Sequence, residues 1–282
     1  MQLMIDMDFD QICRKIKNLE IQGAENIARA AVKALKLRHD PAAIKKLISL
    51  RATEPCLRNA ITFVMAQKNL SLGIKQALEH FDYAQEKVAE YGSKKIESGM
   101  TIFTHCHSSS VVGILRKAKE QGKKFEVYCT ETRPMFQGRI TASELAQLKI
   151  PVTMFVDSGA RIALKEADLM LIGSDSISTE GKIINKIGSE MFSEIANKYD
   201  VPVYSCTDAW KFDPQSVYGY EEKIEKREAK EVWKKPPKGV KISNLAFEKV
   251  HPNLIMGIIS ELGIIQPEAF VVEVKRKYSW MF

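Results

Sequence analysis

The sequence predicts an α/β protein in which a helical N-terminal part precedes a doubly wound parallel sheet. Three observations carry this reading. Residues 1–95 place apolar side chains at helical intervals. From Gly99 onward, short β-branched runs alternate with helical stretches. Those runs are nearly continuous in apolar residues, as strands buried on both faces are. A chain of 282 residues has room for two such units. The expected boundary gives a helical N-terminal domain over 1–96 and an α/β domain over 97–282.

Taken in order, FDQICRKIKNL spaces Phe9, Ile12, Ile16 and Leu19 for one face of a helix. NIARAAVKALKL, LRNAITFVMAQ and IKQALEHFDYAQEKVAEYGSKKIES continue the helical texture, with Gly23, Pro41 and Pro55 as punctuation. Strands follow at TIFTHC (101–106), KFEVYCTE (124–131), VTMFVD (152–157), LMLIGSD (169–175) and VPVYSCT (201–207). Between them SSVVGILRKAKEQG, TASELAQLK, RIALKEA and NKIGSEMFSEIANKYD read as helices. The charged stretch 214–245, with Pro236 and Pro237, reads as a surface excursion. FEKVHPNLIMGIISELGIIQPEAF is expected to return to the core as a strand, a turn and a helix.

Composition sets outer limits. Hydrophobic residues are 45% and charged residues 27%, an ordinary globular balance. No apolar run approaches the roughly 20 residues of a membrane helix, and MQLMIDMDFDQICRK lacks a signal-peptide core, so a cytoplasmic protein is expected. Five cysteines with no C-x-x-C pair argue against a disulfide framework or a zinc ribbon. The net charge of +7 permits an anionic partner, nucleic acid or phosphorylated substrate, without choosing between them. RNA binding has no support beyond that charge, since no aromatic-rich RNA-binding motif is present.

Ligands of open parallel sheets bind beyond the carboxyl ends of the strands. Those ends carry Cys106, Glu131-Thr132-Arg133-Pro134, Asp157-Ser158, Asp175 and Thr207-Asp208. Cys106 stands where a strand becomes a helix, with Ser108, Ser109 and Ser110 in the next turn, a place that favours a phosphate or a thiolate. Strand alternation sends His105 and His107 to the face opposite Cys106, which makes convergence on a metal awkward. Asp175 follows Gly173 and Ser174, which permit close approach of a ligand. Asn185 and Lys186 are expected at or near a helix start, where a bound phosphate would offset the unfavourable lysine charge. Arg133 is placed for fork-like anion recognition.

THCHSS, TETRPMFQGRITASEL, GSDSI, INKIG and AWKFDP occur in that order. Together they resemble one superfamily over nearly the whole chain. It contains archaeal ribose-1,5-bisphosphate isomerase, methylthioribose-1-phosphate isomerase and the regulatory subunits of the exchange factor for eukaryotic translation initiation factor two. The resemblance implies a Rossmann-like catalytic domain, with Cys106 and Asp175 as the acid–base pair. It implies substrate contacts at Gly23, Ala24, Arg51, Arg133, Asn185, Lys186 and Lys211, and a homo-oligomer, dimer or hexamer. No metal or nicotinamide cofactor is indicated.

The short THCHS and INKIG motifs are most similar to the ribose-bisphosphate branch. That implies conversion of ribose 1,5-bisphosphate to ribulose 1,5-bisphosphate, in nucleoside salvage. Gln22-Gly23-Ala24-Glu25 departs from the Arg-Gly-Ala-Gly of that branch, and losing one charge-assisted phosphate contact costs roughly 1.5–3 kcal/mol. The alternative is a non-catalytic regulatory subunit that binds a nucleotide or sugar phosphate and docks an initiation factor.

Overall fold

The structure is a computed structural model that describes residues 7–51, 54–221 and 224–282. The first six residues of MQLMIDMDFDQICRK, and two residues of the charged excursion, lie outside the described residues.

Five helices come first: α1 (Phe9–Lys17), α2 (Ala24–Ala34), α3 (Pro41–Leu50), α4 (Pro55–Met65) and α5 (Leu70–Ser93). Their starts follow from local chemistry. Asp8 and Gln11 form a reciprocal capping box on α1, with bonds of 2.7 and 3.0 Å. Asp40 caps α3 ahead of Pro41, and Asn69 caps α5. The buried face of α2 is built of Ala24, Ala28, Ala31 and Ala34, small enough for α2 to lie close against α4.

The β/α alternation then runs β1 (Thr101–Thr104), α6 (Ser109–Glu120), β2 (Glu126–Thr130), α7 (Gln137–Gln147), β3 (Val152–Phe155), α8 (Ala160–Lys165) and β4 (Leu169–Ile172). A small hairpin of β5 (Ser176–Ile177) and β6 (Ile183–Lys186) precedes α9 (Ser189–Lys198) and β7 (Val203–Cys206). One turn of helix, α10 (Ala229–Val232), lies in the excursion. The chain closes with β8 (Phe247–Val250), β9 (Gly257–Ser260), β10 (Gly263–Ile265) and α11 (Pro267–Lys277).

The main sheet has the order β10-β9-β7-β4-β1-β2-β3, parallel except for β10. Both faces are covered. Ile102, Leu169 and Leu171 pack with Val111, Ile114 and Leu115 of α6 on one side. Phe103, Met170 and Ile172 pack with Ala163 and Leu164 of α8 and Phe192 of α9 on the other. That double cover is why the strands read as unbroken apolar runs.

Two segments differ from expectation. Residues 185–188 are not helical: Asn185 and Lys186 end strand β6, and a left-handed Gly188 (φ 103°) turns the chain into α9. β6 pairs antiparallel with β5 and β8 in a second, three-stranded sheet, so tertiary pairing overrides the helical texture of INKIG. The segment 247–270 supplies three strands in place of one, because β9 joins the main sheet beside β7 and β10 folds back on it.

The turn from β2 into α7 has no room for a side chain at Gly138. A Cβ there would lie 1.8 Å from the Thr130 carbonyl oxygen, a backbone atom that no rotamer change moves. Gly138→Ala therefore lowers the unfolding free energy by about 3 kcal/mol in a denaturant titration. A loss under about 0.5 kcal/mol contradicts this packing.

Candidate active site

Parallel pairing brings the candidate residues together. β1 lies beside β4, with Thr104 opposite Leu171, so the loops that leave these two strands start as neighbours. Cys106 is on one loop and Asp175 on the other. Gly173 passes so close to Ser108, the N-cap of α6, that a Cβ at 173 would come within 2.9 Å of the serine side chain. Asn185 and Lys186 arrive on β6, Lys211 on the turn after β7, Gly23 and Ala24 at the start of α2, and Arg51 at the end of α3. These eight line one cleft of about 480 Å³.

Arg133 does not line it. Asp157 accepts from the amides of Thr132 (2.8 Å) and Arg133 (2.7 Å), and Thr132 is left-handed. The loop therefore presents Pro134 and Met135 to the cleft. The exposed Arg133 guanidinium instead donates to the Val232 carbonyl at 3.2 Å and lies over Phe136. The expected fork-like anion contact from Arg133 is corrected on that ground.

Cys106 has φ +66°, a strained conformation for a residue with a side chain. Two threonines hold it there. Its amide donates to Thr132 Oγ1 at 3.0 Å, and its carbonyl accepts from Thr141 Oγ1 at 2.8 Å. This bend breaks strand alternation, so His107 lines the same cleft as Cys106. His107 Nδ1 meets Thr141 Oγ1 at 3.1 Å. His105 turns inward. Its Nε2 faces the Ile187 carbonyl at 2.9 Å and must donate, and burial holds its pKa near 4, so the ring is neutral and Nδ1 accepts from Thr130 Oγ1. The two rings diverge: His105 is engaged at both nitrogens, whereas His107 lines the cleft.

Of the five cysteines only Cys106 is not buried. Low solvation pushes its thiol up to about 11, despite the attraction of Lys186 for the thiolate. Of the phosphate or thiolate that this helix start favours, the raised thiol argues against the thiolate at neutral pH. Burial also raises the Asp175 carboxyl, against the pull of Lys211, Lys186 and Arg51. Burial opposes the charge on Lys211, but Asp208 and Asp175 outweigh it and lift the ammonium above the usual lysine value. Its Nζ donates to the Ser174 carbonyl at 2.8 Å. Lys186 Nζ sits 4.9 Å from the Phe247 ring centroid.

The opposite wall is a web of ion pairs. Glu25, where the sequence departs from the bisphosphate pattern, is held at 2.7 Å by Arg29, which also grips Asp82 at 2.7 Å. Gln22 donates to the Leu19 carbonyl at 2.8 Å. Arg51 bonds Glu54 at 2.8 Å and reaches Glu225 at 3.3 Å. Arg227 bridges Glu225 (3.1 Å) and Glu231 (2.6 Å), and Asn244 donates to Glu231 at 3.0 Å. The excursion 214–245 thus forms part of the cleft. Sequence reasoning missed Glu54, Gln137, Glu225, Arg227, Glu231 and Asn244. The four charged ones, Glu54, Glu225, Arg227 and Glu231, look solvated until the tertiary contacts are known. Only the Pro after Glu54 hinted that this residue begins a helix.

The raised thiol gives a direct readout. At pH 8 nearly all of Cys106 is protonated, and each further unit of pH multiplies the thiolate about tenfold until pH 11. Iodoacetamide labelling of the Cys106 peptide, followed by mass spectrometry, should climb through pH 10 without levelling. A plateau below pH 9 contradicts a thiol held neutral by low solvation.

Comparison with known proteins agrees with this architecture. The model of the Initiation factor 2 subunit family matches residues 20–267. The ribose 1,5-bisphosphate isomerase of Pyrococcus furiosus is 36% identical, over 100% of this chain and 98% of its own. The methylthioribose-1-phosphate isomerase of Pelotomaculum thermopropionicum is 31% identical over 92% of this chain and 83% of its own. The crystal structure of the translation initiation factor eIF-2B of Pyrococcus horikoshii superposes with a TM-score of 0.83, at 26% identity, covering 92% of this chain and 97% of that one. With a family match over residues 20–267 and full-length relatives above 30% identity, the chain belongs to the Initiation factor 2 subunit family.

Proposed function

We propose that this isomerase converts an aldose 1-phosphate to the ketose, with ribose 1,5-bisphosphate to ribulose 1,5-bisphosphate as the first candidate. The names of the full-length relatives support that substrate. The observation that carries the chemistry is the thiol of Cys106 and the carboxyl of Asp175 on neighbouring strand-end loops of one cleft, with Lys186 and Lys211 beside them.

A phosphate on the C1 oxygen prevents ordinary opening of the sugar ring. The C1–ring-oxygen bond breaks only if the ring oxygen gains a proton. Cys106, protonated at neutral pH, is the donor, and Lys186 offsets the charge that develops on sulfur. One hydrogen passes from C2 to C1 with its bonding electron pair, filling the bond that C1 lost to the ring oxygen, so C1 is reduced as C2 is oxidised. The C2 hydroxyl loses its proton to Asp175 as C2 becomes the carbonyl. Buried surroundings favour the protonated carboxyl that results. Returning that proton from Asp175 to Cys106 restores the starting state. The ring oxygen gains one proton and the C2 oxygen loses one, so the step balances without an external oxidant.

The test is turnover of ribose 1,5-bisphosphate by Cys106→Ser and Asp175→Asn, with unfolding midpoints recorded alongside. Each variant is expected to lose about 10²- to 10⁴-fold in kcat while keeping its stability. Full rates in both contradict the assignment. A parent protein that turns over no sugar phosphate, yet co-purifies with an initiation factor, supports the regulatory alternative.

A further inference from the structure

Two of the buried polar side-chain atoms that lack a partner among the described residues belong to the cleft: Glu54 Oε2 and Gln137 Oε1. Both are acceptors. An acceptor left alone in a buried place costs the full desolvation of that atom, so each calls for a donor. The protein supplies one to Glu54 on one side only, since Arg51 holds Oε1 at 2.8 Å and leaves Oε2 open. Glu54 is 2% exposed. It stands at the N-cap of α4 without bonding that helix, and Pro55 removes the first amide it would meet. Its carboxyl is therefore committed to the cleft wall and not to capping.

A donor of the right kind narrows the ligand. A phosphate dianion has no proton to offer and is repelled by a carboxylate. A hydroxyl has one. In a ribose 1,5-bisphosphate only the C2 and C3 hydroxyls are free, and C2 is the reacting carbon served by Asp175. We propose that Glu54 is a specificity-determining residue that accepts a hydrogen bond from the sugar hydroxyl adjacent to the reacting carbon, the 3-hydroxyl of a ribose. This rests on the sugar-phosphate reading of the cleft.

The assignment also orients the ligand. The phosphates lie toward Lys186, Lys211 and the helix starts, and the hydroxyl edge lies toward Arg51–Glu54. Burial raises the Glu54 carboxyl to about 6 even with Arg51 beside it, and the fields of Asp175 and Glu225 add to that rise. Such a carboxyl is a poor neighbour for a second anion and a good one for a neutral donor.

The experiment measures calorimetric binding in the Cys106→Ser background, where the ligand is not consumed. Ribose 1,5-bisphosphate and its 3-deoxy analogue are compared on the parent background, Glu54→Gln, Glu54→Ala and Arg51→Lys. Glu54→Ala is expected to weaken ribose 1,5-bisphosphate binding ten- to a hundredfold and to leave the 3-deoxy analogue within about twofold. Glu54→Gln, which keeps size and folds most readily, should lie between. Arg51→Lys should weaken both ligands alike.

Equal losses for both ligands with the Glu54 variants overturn the proposal and reduce Glu54 to a support for Arg51. So does the absence of any loss. If the parent fails to bind either ligand, both this proposal and the sugar-phosphate reading fall. If the unmodified protein binds but does not turn over, only the isomerase reading falls and the Glu54 comparison still stands.

Discussion

The site depends on the adjacency of β1 and β4. Their parallel pairing, Ile102 with Leu169 through Thr104 with Leu171, fixes both chains to the last residue before the loops begin. Cys106 and Asp175 are then within a few residues of a rigid support. The loops add two constraints. A left-handed Cys106 is pinned by Thr132 and Thr141, and Gly173 leaves space for the serine that caps α6. A parallel sheet tolerates such loops because they hang from strands that are buried on both faces and cannot slip register without exposing an apolar side.

Lys211 is secured in a different way, by the helices of the N-terminal part. Asn59 on α4 donates both amide hydrogens, to the carbonyls of Trp210 (2.7 Å) and Phe212 (2.8 Å), and so straddles the lysine. Glu261 accepts the Ala209 amide at 3.0 Å, Asp208 accepts that of Trp210 at 2.9 Å, and Tyr278 donates to Glu261 at 2.7 Å. His80 of α5 stacks on Trp210 with ring centroids 3.9 Å apart. Burial raises Asp208 to about 6 and Glu261 to about 7, and each adds to the environment that keeps Lys211 charged or its turn in place. The helical part is thus a structural half of the cleft as well as its wall.

The main strands and helices were readable because they answer to local rules: apolar continuity where two faces are covered, period 3.6 where one is, and capping residues at the starts. The gathering of Cys106, Asp175, Asn185, Lys186, Lys211, Gly23, Ala24 and Arg51 was readable only through the ordered motifs, since no spacing rule brings residue 23 to residue 211. What escaped notice shares one cause. INKIG became a strand because β8, sixty residues later, pairs with it. His107 entered the cleft because Cys106 took a conformation that alternation does not anticipate. Arg133 left it because Asp157 claimed the loop amides. The excursion joined it because Glu225 found Arg51 across 174 residues. Each is a long-range contact that outweighs a local tendency.

That last contact sets where the excursion meets the end of α3. Charge joins the two segments, Arg51 to Glu225, and Arg227 ties Glu225 in turn to Glu231. Because Arg51 keeps only 10% of its side chain exposed and Glu225 23%, dissolved ions screen this seam less than they would an exposed pair. The shape of that wall is thereby less sensitive to the salinity of the surrounding medium than a surface ion pair would make it.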